Sequence, residues 1–227
     1  MIITVLGSCR QESLRTLYEI TDIQDNISFP HYTKEMLEVI KFCKYGHLTP
    51  EQTINTFRTP MLNKIPIIFT EELKNKFENS DLYILEIASK VKYEYNDIYV
   101  HHIVTDEQYD ASIKNEVKIS YQTKDEIEGD ILKIKEELNN KPMLIISHLV
   151  TYEKGERYNL AQWLEEICIK YNISFINPIK ELKNKNLDLD DFNNLFIKEN
   201  VLSHYTTEGH KEILKIYNSY IKNLMTK

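Results

Sequence analysis

Four short apolar runs, separated by stretches with helical periodicity, constrain this chain more than anything else in it. Ile2-Ile3-Thr4-Val5-Leu6, Asp81-Leu82-Tyr83-Ile84-Leu85-Glu86-Ile87, Met143-Leu144-Ile145-Ile146-Ser147 and Ile173-Ser174-Phe175-Ile176 are rich in aliphatic and β-branched residues and lack the alternation of a half-exposed strand. Such runs read as central strands buried on both faces. Between and after them, apolar residues recur at helical spacing. Met36, Leu37, Val39, Ile40 and Cys43 follow a Thr33 start, and Ile127, Ile131, Ile134 and Leu138 mark a helix over 123–139. Further helices are predicted over 11–20, 50–57, 70–78, 159–171 and 207–224. Strands alternating with helices predict an α/β fold, three layers deep, with a central, mainly parallel sheet. In such sheets chemistry gathers beyond the carboxyl ends of the strands.

Residues 90–122, with Ile98-Tyr99-Val100 and Lys118-Ile119-Ser120-Tyr121 as short strand candidates, break the alternation and read as an insertion. The Asn/Lys-rich piece at 183–194 reads as a solvated loop with a short helix. A length of 227 residues is accommodated by one domain over 1–227. The formal charge of −7 offers no basic field for nucleic acid or an anionic membrane surface. No apolar run reaches the roughly 18 residues of a membrane span. The N-terminus lacks a signal-peptide pattern, so a cytoplasmic location is expected. The three cysteines, Cys9, Cys43 and Cys168, have no metal-binding or redox-pair spacing. Cys43 and Cys168 fall in apolar helical patterns and read as core thiols. Cys9 does not.

Gly7-Ser8-Cys9-Arg10 ends the first strand and precedes a helix start. A nucleophile there would face unpaired backbone N–H groups, which lower a thiol pKa and can stabilise an oxyanion. Near the other end of the chain, Ser203-His204-Tyr205-Thr206-Thr207-Glu208-Gly209-His210 puts a histidine in a loop before a helix that Thr206 or Thr207 can cap. A loop histidine steadied by a following helix suits a general base.

Together the two segments resemble the first and last sequence blocks of the SGNH/GDSL hydrolase superfamily, in which a Gly-Asp-Ser turn supplies the nucleophile and a histidine block ending in glycine supplies the base. His204-Tyr205-Thr206-Thr207-Glu208-Gly209 fits the last block closely. In the first, Cys9 stands at the nucleophile position and Ser8 where Asp is usual. Gly-Ser-Cys is similar to the start of the GSCFA-type proteins, and capsule-polysaccharide acyltransferase-like members carry Gly-Asn-Cys there. The resemblance implies an SGNH/flavodoxin-like fold and acyl-ester chemistry by Cys9, or Ser8, with His204 as base. The reaction is O-acyl transfer or ester hydrolysis, with a carbohydrate or other small-molecule substrate. No cofactor is required, although acyl-CoA is a possible donor for transfer. Two departures stand out: Val201 replaces the Asp normally three residues before the histidine, and Glu86-Ile87-Ala88-Ser89 stands where Gly-x-Asn-Asp is usual. A catalytically silent domain that binds a glycan or a protein partner is therefore the alternative.

Other residues fall where the sheet's carboxyl edge is expected. Ser89 is a candidate oxyanion donor, and Glu86, a carboxylate in an apolar strand, must be paired, protonated or part of a site. Arg10 and Arg58 are candidate partners for it, and Arg10 is alternatively a grip for an anionic substrate. His31 either belongs to a helix cap or lines the cleft. His148, directly after the third run, and Arg157, before a predicted helix, are placed to shape the pocket. No histidine pair with metal-ligand spacing and acidic support occurs, so no metal is expected. Five glycines leave little room for a phosphate-cradling loop.

Overall fold

A computed structural model of the chain describes residues 1–107, 113–150, 153–197 and 205–226, apart from the side chains of Cys9, Glu12 and Leu189. The four apolar runs form β1 (Ile2–Leu6), β3 (Leu82–Ile87), β7 (Met143–Ser147) and β8 (Ser174–Ile176). A short edge strand, β2 (Glu19–Ile20), joins them in one all-parallel sheet of order β2-β1-β3-β7-β8. The order reverses at β1, so the crevice beyond the carboxyl ends of β1 and β3 is the topological switch point, where α/β sheets bind their ligands. Gly7 follows β1 into that crevice and Glu86 lies near the end of β3.

The period-2 geometry of a strand sorts these residues onto two faces. On one, Leu6, Tyr83, Leu85, Ile87 and Ile145 pack against α2 (Thr33–Tyr45), α6 (Lys124–Glu137) and α7 (Glu156–Lys170). On the other, Ile3, Val5, Leu82, Ile84, Leu144 and Ile146 pack against Leu14, α8 (Pro178–Lys183) and α10 (Thr207–Met225). Glu86 follows Leu82 and Ile84 in that alternation. Its carboxylate therefore points into the layer that contains the first turn and α10. Cys43 and Cys168 are buried free thiols in the first layer. Burial pushes the Cys168 thiol up to about 12 and raises Cys43 as well, which suits inert core positions.

Two predicted elements differ, and helices appear that were not predicted. The segment expected to be a helix over 11–20 is a 3-10 helix, Cys9–Thr16, followed by β2, because Ile20 joins the sheet edge. α7 starts at Glu156 rather than 159, which puts Arg157 inside its first turn rather than before it. Between α1 (Ile23–Asn26), α3 (Pro50–Thr56) and α5 (Glu71–Glu78) there is an additional helix, α4 (Arg58–Asn63). The piece at 183–194 carries the expected short helix, α9 (Leu189–Asn194).

The interruption at 90–122 forms a second, antiparallel sheet, β5-β4-β6, from β4 (Val91–Tyr95), β5 (Ile98–Tyr99) and β6 (Lys118–Tyr121). Its apolar underside is a small separate cluster of Met61, Val100, Ile103, Val104 and Ile113. Buried Tyr32, at the N-terminus of α2, fastens this sheet: its hydroxyl donates to the Val100 carbonyl at 2.6 Å and lies 3.0 Å from the Tyr93 carbonyl. No helix among the described residues is long and apolar enough to cross a membrane.

The last helix is seated through its own N-terminus. The Thr206 side chain caps it by accepting from Gly209 N at 3.1 Å, and the Thr206 backbone N–H donates to the Leu195 carbonyl at 2.9 Å. A Cβ on Gly209 would lie 2.1 Å from that same carbonyl oxygen. Gly209→Ala is therefore expected to destabilise the protein by about 1–3 kcal/mol through overpacking. Urea denaturation measures this, and an unchanged midpoint would contradict the close approach.

Candidate active site

The first turn is built around Glu86. Gly7 passes so close to β3 that a Cβ on it would meet the Glu86 Cβ at 2.6 Å, so only glycine allows this approach. Its N–H donates to Gln24 Oε1 of α1 at 2.8 Å. The next residue turns toward the carboxylate. Ser8 N donates to Glu86 Oε2 at 2.9 Å, the Ser8 hydroxyl makes a short hydrogen bond to the same oxygen, and Gln11 Nε2 adds a third donor at 3.1 Å. The Ser8 oxygen also accepts from Arg10 N at 3.3 Å, capping the 3-10 helix. Ser8 is a buried fixture of the turn, with its proton directed at Glu86.

The other carboxylate oxygen faces His148. Its Nδ1 lies 3.0 Å from Glu86 Oε1, while Arg10 Nη1 lies 2.7 Å from His148 Nε2, 2.8 Å from His148 Nδ1 and 4.0 Å from Glu86 Oε1. An ionised carboxylate only accepts, so Nδ1–H donates to Glu86, with the guanidinium set against both ring nitrogens. Burial lowers the His148 pKa against the opposing pull of Glu86, in keeping with an uncharged ring. Burial alone would raise Glu86, but the His148 and Ser8 hydrogen bonds and the Arg10 charge outweigh it and hold the carboxyl well below its usual range. The partner expected for Glu86 is thus Arg10. Arg58 instead lies over the Phe29 ring, 5.0 Å from its centroid.

Next to this buried centre opens a cleft of about 480 Å³, lined among others by His31, Ser89, Lys90, His102, Glu156 and Arg157. Three of the residues singled out from sequence, His31, Ser89 and Arg157, meet here. The His31 carbonyl accepts from Ala88 N at 2.9 Å and Ser89 N at 3.0 Å, which ties the end of β3 to the start of α2. Ser89 Oγ accepts from Val91 N at 3.0 Å. The N-cap residue of α2 is Tyr32, so the His31 ring serves the cleft wall rather than a cap. His31 N donates to Glu35 Oε2 at 2.9 Å, and Ser28 donates to the other oxygen at 3.0 Å. Burial pushes this fully enclosed carboxyl up to about 8. His31 itself is lowered to about 3, first by burial and then by the charge of His102. The nearby Glu86, His148 and Arg157 also act on it, which places the cleft and the buried centre within electrostatic reach of each other.

Cys9 begins the 3-10 helix, although its side chain is outside what is described, and His204 lies outside the described residues. The neighbour of His204 is informative. Tyr205 is buried, pairs with Phe196 in an isolated bridge, and is influenced by both Glu86 and Arg10. Tyr217 of α10 stands against Gln11 and Tyr205. The last sequence block therefore returns to the first turn. Glu35, His101 and His102 carry no local sequence signal of a shared site, since each depends on contacts between segments far apart in the chain.

A family model described as TviD N-terminal domain matches residues 1–119. The chain belongs to that family. The part of this TviD N-terminal domain protein that is matched includes Gly7, Ser8, Cys9, Arg10, His31, Glu86 and Ser89, whereas His148, Arg157 and His204 lie beyond it. No curated protein matches the chain by sequence. Among solved structures, it is similar to a putative GDSL-like lipase from Parabacteroides merdae, at 10% identity and a TM-score of 0.42, over 96% of this chain and 94% of that one. It is also similar to a mutant of the esterase AlinE4, at 14% identity and a TM-score of 0.38, over 98% and 95% of the two chains. Likenesses of this size leave the chemistry to the chain's own residues.

The Glu86 centre makes a prediction. Both Glu86 and His148 have depressed pKa values in the folded state, so their stabilising effect is present above the unfolded values of about 4.3 and about 6.5. For each group it is lost as pH falls below its own unfolded value, for His148 from about 6.5 downward and for Glu86 from about 4.3 downward, because the unfolded chain takes up protons that the folded chain does not. Glu86→Gln keeps the shape but turns a donor toward Ser8, Gln11 or His148. It should cost about 3–5 kcal/mol at pH 7 and flatten the acid limb below about pH 4.5. Denaturant titrations from pH 3 to 8 would show this, and a parallel acid limb in both proteins would refute it.

Proposed function

We propose that this protein carries out acyl-ester chemistry, with Cys9 as nucleophile and His204 as general base. The observation that carries the reading is the grip of Glu86 on Ser8. A buried carboxylate holds both the backbone N–H and the hydroxyl of the residue before Cys9, at the switch point of the sheet and beside the cleft. A turn fixed in this way presents the following residue at the helix N-terminus in one orientation. Because the Ser8 proton is committed to Glu86, Cys9 is the better nucleophile of the two.

In the reaction, the Cys9 thiolate adds to the ester or thioester carbonyl after His204 accepts its proton. The backbone N–H of Cys9 receives the negative oxygen, since those of Gly7, Ser8 and Arg10 are already given to Gln24, Glu86 and the Ser8 hydroxyl. Collapse expels the alcohol or thiol, which takes the proton back from His204 and leaves an acyl-thioester on Cys9. A water or an acceptor hydroxyl, deprotonated by His204, then takes the acyl group and releases the thiol. Arg157, Lys90 and Ser89 line the space in which the acceptor would lie. The likeness of the first turn to capsule-polysaccharide acyltransferase-like proteins favours a carbohydrate hydroxyl as acceptor and acyl-CoA as a donor.

The test is turnover of an aryl acetate ester and of acetyl-CoA with an oligosaccharide acceptor, together with intact-mass detection of an acylated chain. Cys9→Ala should abolish both turnover and the acyl adduct, and His204→Ala should slow turnover by about 10²–10⁴-fold. Undiminished activity in Cys9→Ala would overturn the assignment. A wild-type protein that binds glycan but turns over no acyl substrate would establish a silent binding domain instead.

A further inference from the structure

His31, His101 and His102 come together because three separate constraints meet. Glu35 and the end of β3 hold the backbone of His31. Tyr32 fastens the small sheet from which His101 and His102 emerge, and the His101 N–H donates to the Thr56 carbonyl at 2.9 Å. The rings of His31 and His102 are 4.3 Å apart between centroids, those of His101 and His102 also 4.3 Å, and those of His31 and His101 5.4 Å. One ring nitrogen from each lies within 4.8 Å of the other two.

Three imidazoles packed this closely are stable only when uncharged. In that form each ring has one nitrogen lone pair with which it can ligate a cation. The individual nitrogens point the same way. His101 Nε2 lies 3.2 Å from the Phe29 carbonyl and must donate its hydrogen there, leaving the lone pair on Nδ1, which accepts from Ile103 N at 3.1 Å and would exchange that hydrogen bond for a cation. A backbone carbonyl on the far nitrogen is the usual outer partner of a metal-bound histidine. His102 Nδ1 is sealed from solvent and has no hydrogen-bond partner. A buried polar atom left in that state is destabilising, and a ligand would relieve this.

We propose that His31, His101 and His102 form a binding site for a zinc-class divalent cation in the wall of the cleft. Zinc with bonds of about 2.0–2.1 Å places its nitrogens about 3.3 Å apart, so the rings need to close by up to about 1.5 Å. The donor set contains nitrogen alone, which selects zinc, cobalt or nickel over magnesium or calcium. Arg58 and Arg157 oppose a cation here while Glu86 and Asp106 favour it, so binding derives from ligation rather than from net charge. His31 and His102 both line the cleft. The ion would tie the small sheet to the ends of β3 and α2.

This site is independent of Cys9 and His204, and its test does not depend on turnover. The full chain, stripped with chelator, is titrated with Co²⁺ and followed by its visible d–d absorption, and with Zn²⁺ by calorimetry. One equivalent should bind, and Zn²⁺ should raise the melting temperature. His31→Ala and His102→Ala should each weaken binding at least tenfold and remove the thermal shift, while Cys9→Ala and His47→Ala should leave both unchanged. Circular dichroism of the stripped variants confirms that they fold. His31→Gln and His102→Gln, closer in size, repeat the measurement if an alanine variant does not. The absence of saturable binding in the wild type, or a Co²⁺ spectrum unaltered by the His31 and His102 substitutions, would overturn the proposal.

Discussion

A carboxylate buried at the end of a central strand loses its hydration, and several kcal/mol per ion must be returned by the groups around it. Glu86 is 1% exposed, and the donors that satisfy it determine the local structure. Ser8 and Gln11 occupy one oxygen and His148 the other, with Arg10 supplying the balancing charge. Ser8, Arg10 and Gln11 come from the first turn and the 3-10 helix, and His148 from the residue after β7. The carboxylate thereby connects β1, the 3-10 helix, β3 and the residue after β7 at the one place where the sheet reverses its order. The glycine at position 7 follows from the same contact, because the strands come too close there for any side chain.

The second consequence is directional. Strand alternation places Glu86 on the face that α10 covers, so the helix following the histidine block packs over the turn containing Cys9. Thr206 and Gly209 fix where that helix begins, and Tyr205 reaches the electrostatic neighbourhood of Glu86 and Arg10. Two segments at opposite ends of the sequence are brought to one crevice by ordinary means: a cap, a close glycine contact and an apolar helix face. On the other side of the sheet, the residues leading into α2 and the first turn of α7 bring His31 and Arg157 to the adjoining cleft.

Much of this is legible in the sequence, for identifiable reasons. Fully buried strands announce themselves as unbroken apolar runs, and Glu86 stands out because it interrupts one. Gly7 and the Thr206 block are readable because turns and caps restrict residue type locally. The 3-10 helix was hidden because Leu14, Leu17, Tyr18 and Ile20 mimic helical spacing, whereas Ile20 pairs with Ile3 at the sheet edge. α4 was hidden because Pro60 lies inside it, a residue that more often marks a break. The histidine cluster was illegible in principle. His101 and His102 are adjacent, His31 is far away, and they are brought together by tertiary contacts such as the Tyr32 bond to the small sheet and the His101 bond to Thr56.

The same electrostatics explain the composition of the first turn. In the superfamily that the turn resembles, an aspartate usually stands where Ser8 stands. With Glu86 already directed at that position from β3, an aspartate would put two carboxylates in one dry site, where like charges cannot both remain ionised at modest cost. A serine removes the conflict, because its hydroxyl can donate to Glu86 while its oxygen accepts from Arg10 N. The carboxylate that orders the turn is then contributed by the neighbouring strand instead of by the turn itself. The Gly-Ser-Cys sequence and the unusual Glu86 are therefore two halves of one arrangement: replacing Ser8 with Asp would undo it unless Glu86 were neutralised at the same time.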